Sequence, residues 1–160
     1  MSIEVMGNVL KEIKEETDMV YNPMIKKWEL YFNKANGYEN RVIVIKAFAN
    51  FLEDPKADKL EIPGKCMLGG NVFRREGFND GDEIFTSDIK SVERIEHGDN
   101  KGVPHDLMCA TTISGSKYYF YSDDYNAYMF LMLGDLIHTG KLNQRRYFYL
   151  KREFRGSKLI

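Results

Sequence analysis

Cysteine is scarce. Cys66 and Cys109 are the only two in 160 residues, too few to staple a chain of this size, so the expectation is a pair of buried, reduced thiols in an intracellular, cytoplasmic protein. Long apolar runs are missing as well. The longest, Ala127 to Leu133, is far short of the ~18 residues that would span a bilayer, and the first residues lack the basic-then-apolar order of an export signal, so no membrane association is expected. Net charge is nearly nil, 23 Lys and Arg against 24 Asp and Glu, which argues against both an all-over nucleic-acid footprint and an acidic disordered chain. Enzyme signatures are also wanting. There is no Gly-rich phosphate loop, no Gly-x-Ser-x-Gly elbow, no His-Glu-x-x-His and no Cys-x-x-Cys, so no cofactor, metal or catalytic residue is expected. What is present is 43% hydrophobic residues, enough for one core and too little for two, which makes 1–160 a single domain.

Periodicity predicts an α+β fold. Met6, Val9, Leu10 and Ile13 recur at helical spacing from Ile3 to about Asp18, with Lys11, Glu12, Lys14, Glu15 and Glu16 on the other face. Beyond Asn22-Pro23, Trp28, Leu30 and Phe32 alternate with Glu29, Tyr31 and Asn33 as in a half-buried strand, and Asn36-Gly37 supplies a turn. Arg41 to Asp54 is ambiguous, because Val42-Ile43-Val44-Ile45 favours a strand and Ala47 to Leu52 a helix; the expectation is a strand running into one or two helical turns. From Lys59 onward short apolar runs predict strands over Cys66–Phe73, Glu83–Thr86, Ile89–Ile95, Leu107–Ile113 and Lys117–Tyr121. The antiparallel sheet they form, with a small barrel from Leu60 to Tyr121 as its curled variant, is expected to pack on an apolar C-terminal helix and to be covered by the N-terminal one. A two-residue loop at Gly115-Ser116 would place Ile113 opposite Tyr118 and Thr111 opposite Phe120, continuing through Leu107 and Cys109 on the same face. Thr112, Tyr119 and Tyr121 then lie on the other side, as a second packed face or as an exposed aromatic patch. Arg146 to Phe154 alternates like a last strand at a sheet edge.

Ser122-Asp123-Asp124 is expected to cap a helix running to His138 and closed by Gly140. Ten of the thirteen residues from Tyr125 to Ile137 are apolar, and Asn126 and Asp135 fall on opposite sides, so no continuous polar stripe exists. Either Met6, Val9, Leu10 and Ile13 cover its outer side, or two copies bury it in a homodimer with Met129, Met132 and Leu133 near the axis, the arrangement slightly preferred.

The chemistry-bearing residues are sparse. His97 and His105 flank one loop near Asp99 and Asp106, a weak metal-like grouping better read as solvated loop residues. Cys109 near His105 and Asp106 superficially resembles an activated thiol, but a strand would turn it into the core, where a thiol stays neutral. His138 at a helix C-terminus reads as a cap, Asp80-Gly81 as the tip of a turn, and Glu76, Asp80, Asp82 and Glu83 as a solvated acidic stretch that misses the EF-hand register.

Charge is distributed unevenly. Lys141, Arg145, Arg146, Lys151, Arg152, Arg155 and Lys158 stand against Glu153 alone in 141–160, a net of +6, so the first 140 residues total −7. With Tyr147, Phe148, Tyr149 and Phe154 interleaved, this segment has the makings of a single-strand nucleic-acid binder, with Arg145, Arg146, Lys151, Arg152 and Arg155 on phosphates and Tyr147 and Tyr149 as stacking platforms. It equally suits an edge strand protected from aggregation by its charges, or one paired with the acidic body of the same protein.

The runs Gly70-Asn71-Val72, Phe78 to Ile89 (Phe-x-Asp-Gly-x-x-Ile-x-Thr-Ser-x-Ile) and Thr112 to Tyr118 (Thr-x-Ser-Gly-Ser-x-Tyr) resemble a pattern in small bacterial proteins of unknown function. The resemblance implies a compact β-meander with turns at Asp80-Gly81 and Ser114-Gly115-Ser116 and a strand starting at Thr86-Ser87, and it implies no activity. Without enzyme motifs, and with 21 aromatic residues and segregated charge, the expectation is a small non-catalytic binding protein, a protein–protein inhibitor of the immunity or phage anti-defence type. Its contacts would be Tyr119, Tyr121, Tyr147 and Tyr149.

Overall fold

The computed structural model describes residues 21–140. The expected N-terminal helix and the expected edge strand from Arg146 both lie outside them. Within them the fold is α+β, a mostly antiparallel sheet with two helices. Strand β1 (Met24–Tyr31) carries the anticipated alternation, burying Trp28 and Leu30. A short 3-10 turn (Lys34–Asn36) follows, capped by the Asn33 side chain, which accepts from Ala35 N–H.

The ambiguous segment is not a strand. Gly37–Glu53 is one 17-residue helix, α1, and the run Val42 to Ile45 lies inside it. The helix-propensity penalty for β-branched residues is only a few tenths of a kcal/mol each. Burial of Val44, Ile45, Phe48, Ala49, Phe51 and Leu52 on one side outweighs it several-fold, at ~1.5–3 kcal/mol for each large side chain.

The remaining strands are β2 (Lys59–Glu61), β3 (Met67–Phe73), β4 (Asp82–Glu96), β5 (Asp99–Asn100), β6 (Val103–Pro104), β7 (Leu107–Thr112) and β8 (Lys117–Tyr121). Glu83–Thr86 and Ile89–Ile95, expected as two strands, form the single 15-residue β4, and Thr86-Ser87 lies inside it rather than at a strand start. Its length gives it several partners: its first half pairs with β3, and its second half with β2 and β7. Successive antiparallel pairings β1–β3, β3–β4, β4–β7 and β7–β8, with a short parallel contact between β8 and β1, close into a ring. The loop-like stretch after Gly98 contains a miniature hairpin, β5–β6.

The β7–β8 register differs from the expected one by three residues. Ala110 faces Tyr118 and Met108 faces Phe120, while Cys109 faces Tyr119 and Leu107 faces Tyr121. The loop is Ile113-Ser114-Gly115, closed by Thr112 N–H to Ser116 O at 2.8 Å and Gly115 N–H to Thr112 O at 2.9 Å. Ser116 N–H also donates to Thr112 Oγ1. An odd shift exchanges faces. Thr112 is thus buried and Ile113 stands exposed at the tip.

Trp28 anchors the core, its ring against Phe48, Phe120 and Tyr125 and its Nε1–H donating to Tyr121 O at 2.7 Å. Residues 124–126 run beside β1, with Trp28 N–H donating to Asp124 O and Asn126 N–H to Trp28 O. Helix α2 (Ala127–His138) therefore starts later than expected. Its cap is Asn126, whose side chain accepts from Met129 N–H, and not Ser122-Asp123-Asp124. Ser122 is engaged elsewhere, accepting from Asp106 N–H and donating to Pro104 O. At the far end Gly140 closes the helix as anticipated, in the left-handed region at φ 74° with its N–H on Ile137 O.

One buried cation fixes α1 to the sheet. Arg94, on β4, donates from Nε to Asp106 Oδ2 at 2.9 Å, from Nη2 to Phe51 O and from Nη1 to the carbonyls of Asp54 and Ala57. Its guanidinium also lies over the Phe51 ring. The charge thus sits at the negative end of α1, shared among the carbonyl of its last turn (Phe51) and those of the turn that follows (Asp54 and Ala57).

Candidate functional site

Tyr119 and Tyr121 project from the face of β8 opposite the core and are half-buried. The Tyr21 ring lies 5.3 Å from that of Tyr119, and His105 stacks on Tyr121 at 4.1 Å with planes 6° apart. Leu107 and Cys109 beside them are buried, while Tyr119 and Tyr121 keep part of their surface exposed. Arg145, Arg146, Tyr147, Tyr149, Lys151, Arg152 and Arg155 lie outside the described residues.

The histidines do not converge. His105 Nδ1–H donates to Asp123 Oδ1 at 2.6 Å, whereas His97 lies 3.9 Å from Asp106, which is held by Arg94. Among the described residues no three or more His, Cys, Asp or Glu are grouped to hold a metal, and no helix is long and apolar enough to cross a membrane. Both cysteines are free and buried. Burial pushes the Cys66 thiol up to about 12 and raises that of Cys109, so neither supplies a thiolate near neutrality. Cys109 is neutral as expected, but on the face with Tyr119 and not with the core set.

A different surface has the form of a site. An open groove of about 670 Å³ lies between the end of β1, the start of α1, the beginning of β4 and the outer side of α2. Nine large apolar side chains are exposed among the described residues, and five of them (Tyr31, Tyr38, Phe85, Tyr128 and Leu131) line this one groove. Convergence of that kind marks an interaction surface, whereas singly scattered apolar residues do not. Glu29, Glu83 and Asp135 border it against Arg41 alone, giving the rim an acidic excess.

Each wall follows from local sequence. Helix α2 turns Met129, Leu133 and Leu136 inward. Its opposite side carries Tyr128 at 69% and Leu131 at 59% exposure, because this apolar helix has no polar stripe to show there. Met129 and Leu133 therefore belong to the core and are unavailable for the expected dimer axis; Met132 alone of that trio reaches the groove. On the sheet, Phe85 lies across β3 at Gly69, where a Cβ would come within 2.8 Å of its ring. With no side chain in the way, the Phe85 ring reaches Tyr31 on β1, centroid to centroid 4.4 Å. Two sequence signals point to this groove: the missing polar face of α2, and a glycine pair inside a strand, which marks a close approach.

The chain matches no family model, no curated protein and no solved structure.

Proposed function

We propose that this is a small, non-catalytic, cytoplasmic binding protein, a protein–protein inhibitor of the immunity or anti-defence type, and that the groove between β1, α1 and α2 is its interface. The observation that carries this reading is the gathering of Tyr31, Tyr38, Phe85, Tyr128 and Leu131 in one concavity with an acidic rim. Aromatic and leucine side chains set in a groove anchor a partner at low entropic cost, and the surrounding carboxylates select a segment that is apolar and basic.

A partner captured from the native host by the full chain should be lost with Leu131→Glu, which places a charge among the anchors without touching the core. Equal capture by both proteins contradicts the reading. So does salt-sensitive binding of single-stranded DNA or RNA that Leu131→Glu leaves unchanged, since that behaviour belongs to a phosphate contact surface in the basic segment 141–160.

A further inference from the structure

The groove has apolar walls and an acidic rim, and the chain itself contains one segment of the complementary chemistry. We propose that residues 141–160 occupy the groove in cis as a built-in competitor of the partner; this rests on reading the groove as a binding surface. Three observations carry it.

The first is charge. Seven basic groups against one acid in 141–160 face a rim where Glu29, Glu83 and Asp135 outnumber Arg41. The other segment outside the described residues, 1–20, has five acidic groups against two lysines and carries the same sign as the rim.

The second is position. The basic segment begins just beyond α2, the helix that supplies Tyr128, Leu131, Met132 and Asp135 to the groove, and Gly140 ends that helix in the left-handed conformation. The eleven residues from Tyr128 to His138 span only about 16 Å of helix, a distance within the reach of the nine residues from Lys141 to Tyr149, about 30 Å when extended. Residues 1–20 instead enter at Tyr21, next to Tyr119 and Glu96. That is the far end of β1, roughly 20 Å or more from Tyr31 at the strand's rise per residue.

The third is side-chain type. Tyr147, Phe148, Tyr149 and Phe154 offer rings to a groove already built of rings, where offset and edge-on pairs form readily.

The test uses the full chain with a nitroxide at Glu153→Cys, which removes the segment's lone acid. Cys66 and Cys109 are buried and stay unmodified. The readout is paramagnetic broadening of the Leu131 and Met132 methyl signals relative to Ile113, exposed at the β7–β8 tip. Strong broadening at Leu131 and Met132 is expected, reduced by Asp135→Lys or by 1 M salt, where the Debye length falls to about 3 Å. It should be absent when spin-labelled protein is mixed with isotope-labelled protein lacking the nitroxide. No selective broadening overturns the proposal, and broadening that persists in the mixed sample overturns it in favour of a second copy. If Leu131→Glu still abolishes partner capture in those cases, the groove remains a binding surface and only its internal occupant is refuted.

Discussion

Arg94 shows how much one side chain decides here. Side-chain exposures of 1% and 4% put it and Asp106 out of reach of water, so the pair is stable only because carbonyls of Phe51, Asp54 and Ala57 complete the guanidinium's partners. Arg94→Met fills similar volume but leaves Asp106 without its cation, and should cost about 3–5 kcal/mol, read as a lowered urea midpoint with unchanged slope. A loss below about 1 kcal/mol, the scale of an ordinary surface substitution, would contradict the role assigned to it. Asp124 gives a pH signature. Burial raises its pKa above the ordinary 3.8, against a bond from Lys27 N–H that lowers it. The ionised carboxylate therefore costs stability that grows as pH rises from the ordinary value through the raised one. Asp124→Asn keeps the acceptor and removes the charge, so it should raise the melting temperature near neutrality, with the gain vanishing below the ordinary carboxylate value. A gain that persists unchanged in acid would refute this. Neither residue's role was legible in the sequence, because strand alternation marks faces and does not say which charged residue meets a helix end.

At the scale of elements, most strands were legible because their apolar runs end at Gly, Asp and Asn, and α2 because its apolar run ends at a glycine. Two elements depart from the expectation for local reasons. The β-branched quartet in α1 outweighed in reading the spacing of Val44, Phe48, Phe51 and Leu52, which is helical. The β7–β8 register turned on Thr112, whose hydroxyl and amide both bind Ser116 and set a three-residue loop, a side-chain choice invisible to face counting. Gly69 joins element packing to the groove. Gly69→Ala drives a methyl into the Phe85 ring and should cost about 1–3 kcal/mol through overpacking. Adding Phe85→Leu should recover much of that stability while leaving partner binding weakened, since the Tyr31–Phe85 ring pair is gone. Additive losses in the double variant would show that the two side chains do not meet.

For the whole molecule, the sequence disclosed the segregation of charge and the aromatic surplus without disclosing where they meet. Tyr119 and Tyr121, expected as contacts, lie half-buried on the face of β8 opposite the core, against Tyr21 and His105. The groove is assembled from four elements distant in sequence; the unstriped α2 and the glycine pair of β3 signal two of its walls, and no local pattern reports that they meet. Its function as an interface is tested most directly by calorimetric affinity of the captured host partner for the full chain, for Leu131→Glu and for Ile113→Glu, the last altering an equally exposed apolar residue at the hairpin tip. Leu131→Glu should weaken binding by about 2 kcal/mol or more, roughly thirtyfold, with Ile113→Glu indistinguishable from the parent. Equal affinity of all three proteins, or a loss confined to Ile113→Glu, would contradict the groove as the binding surface.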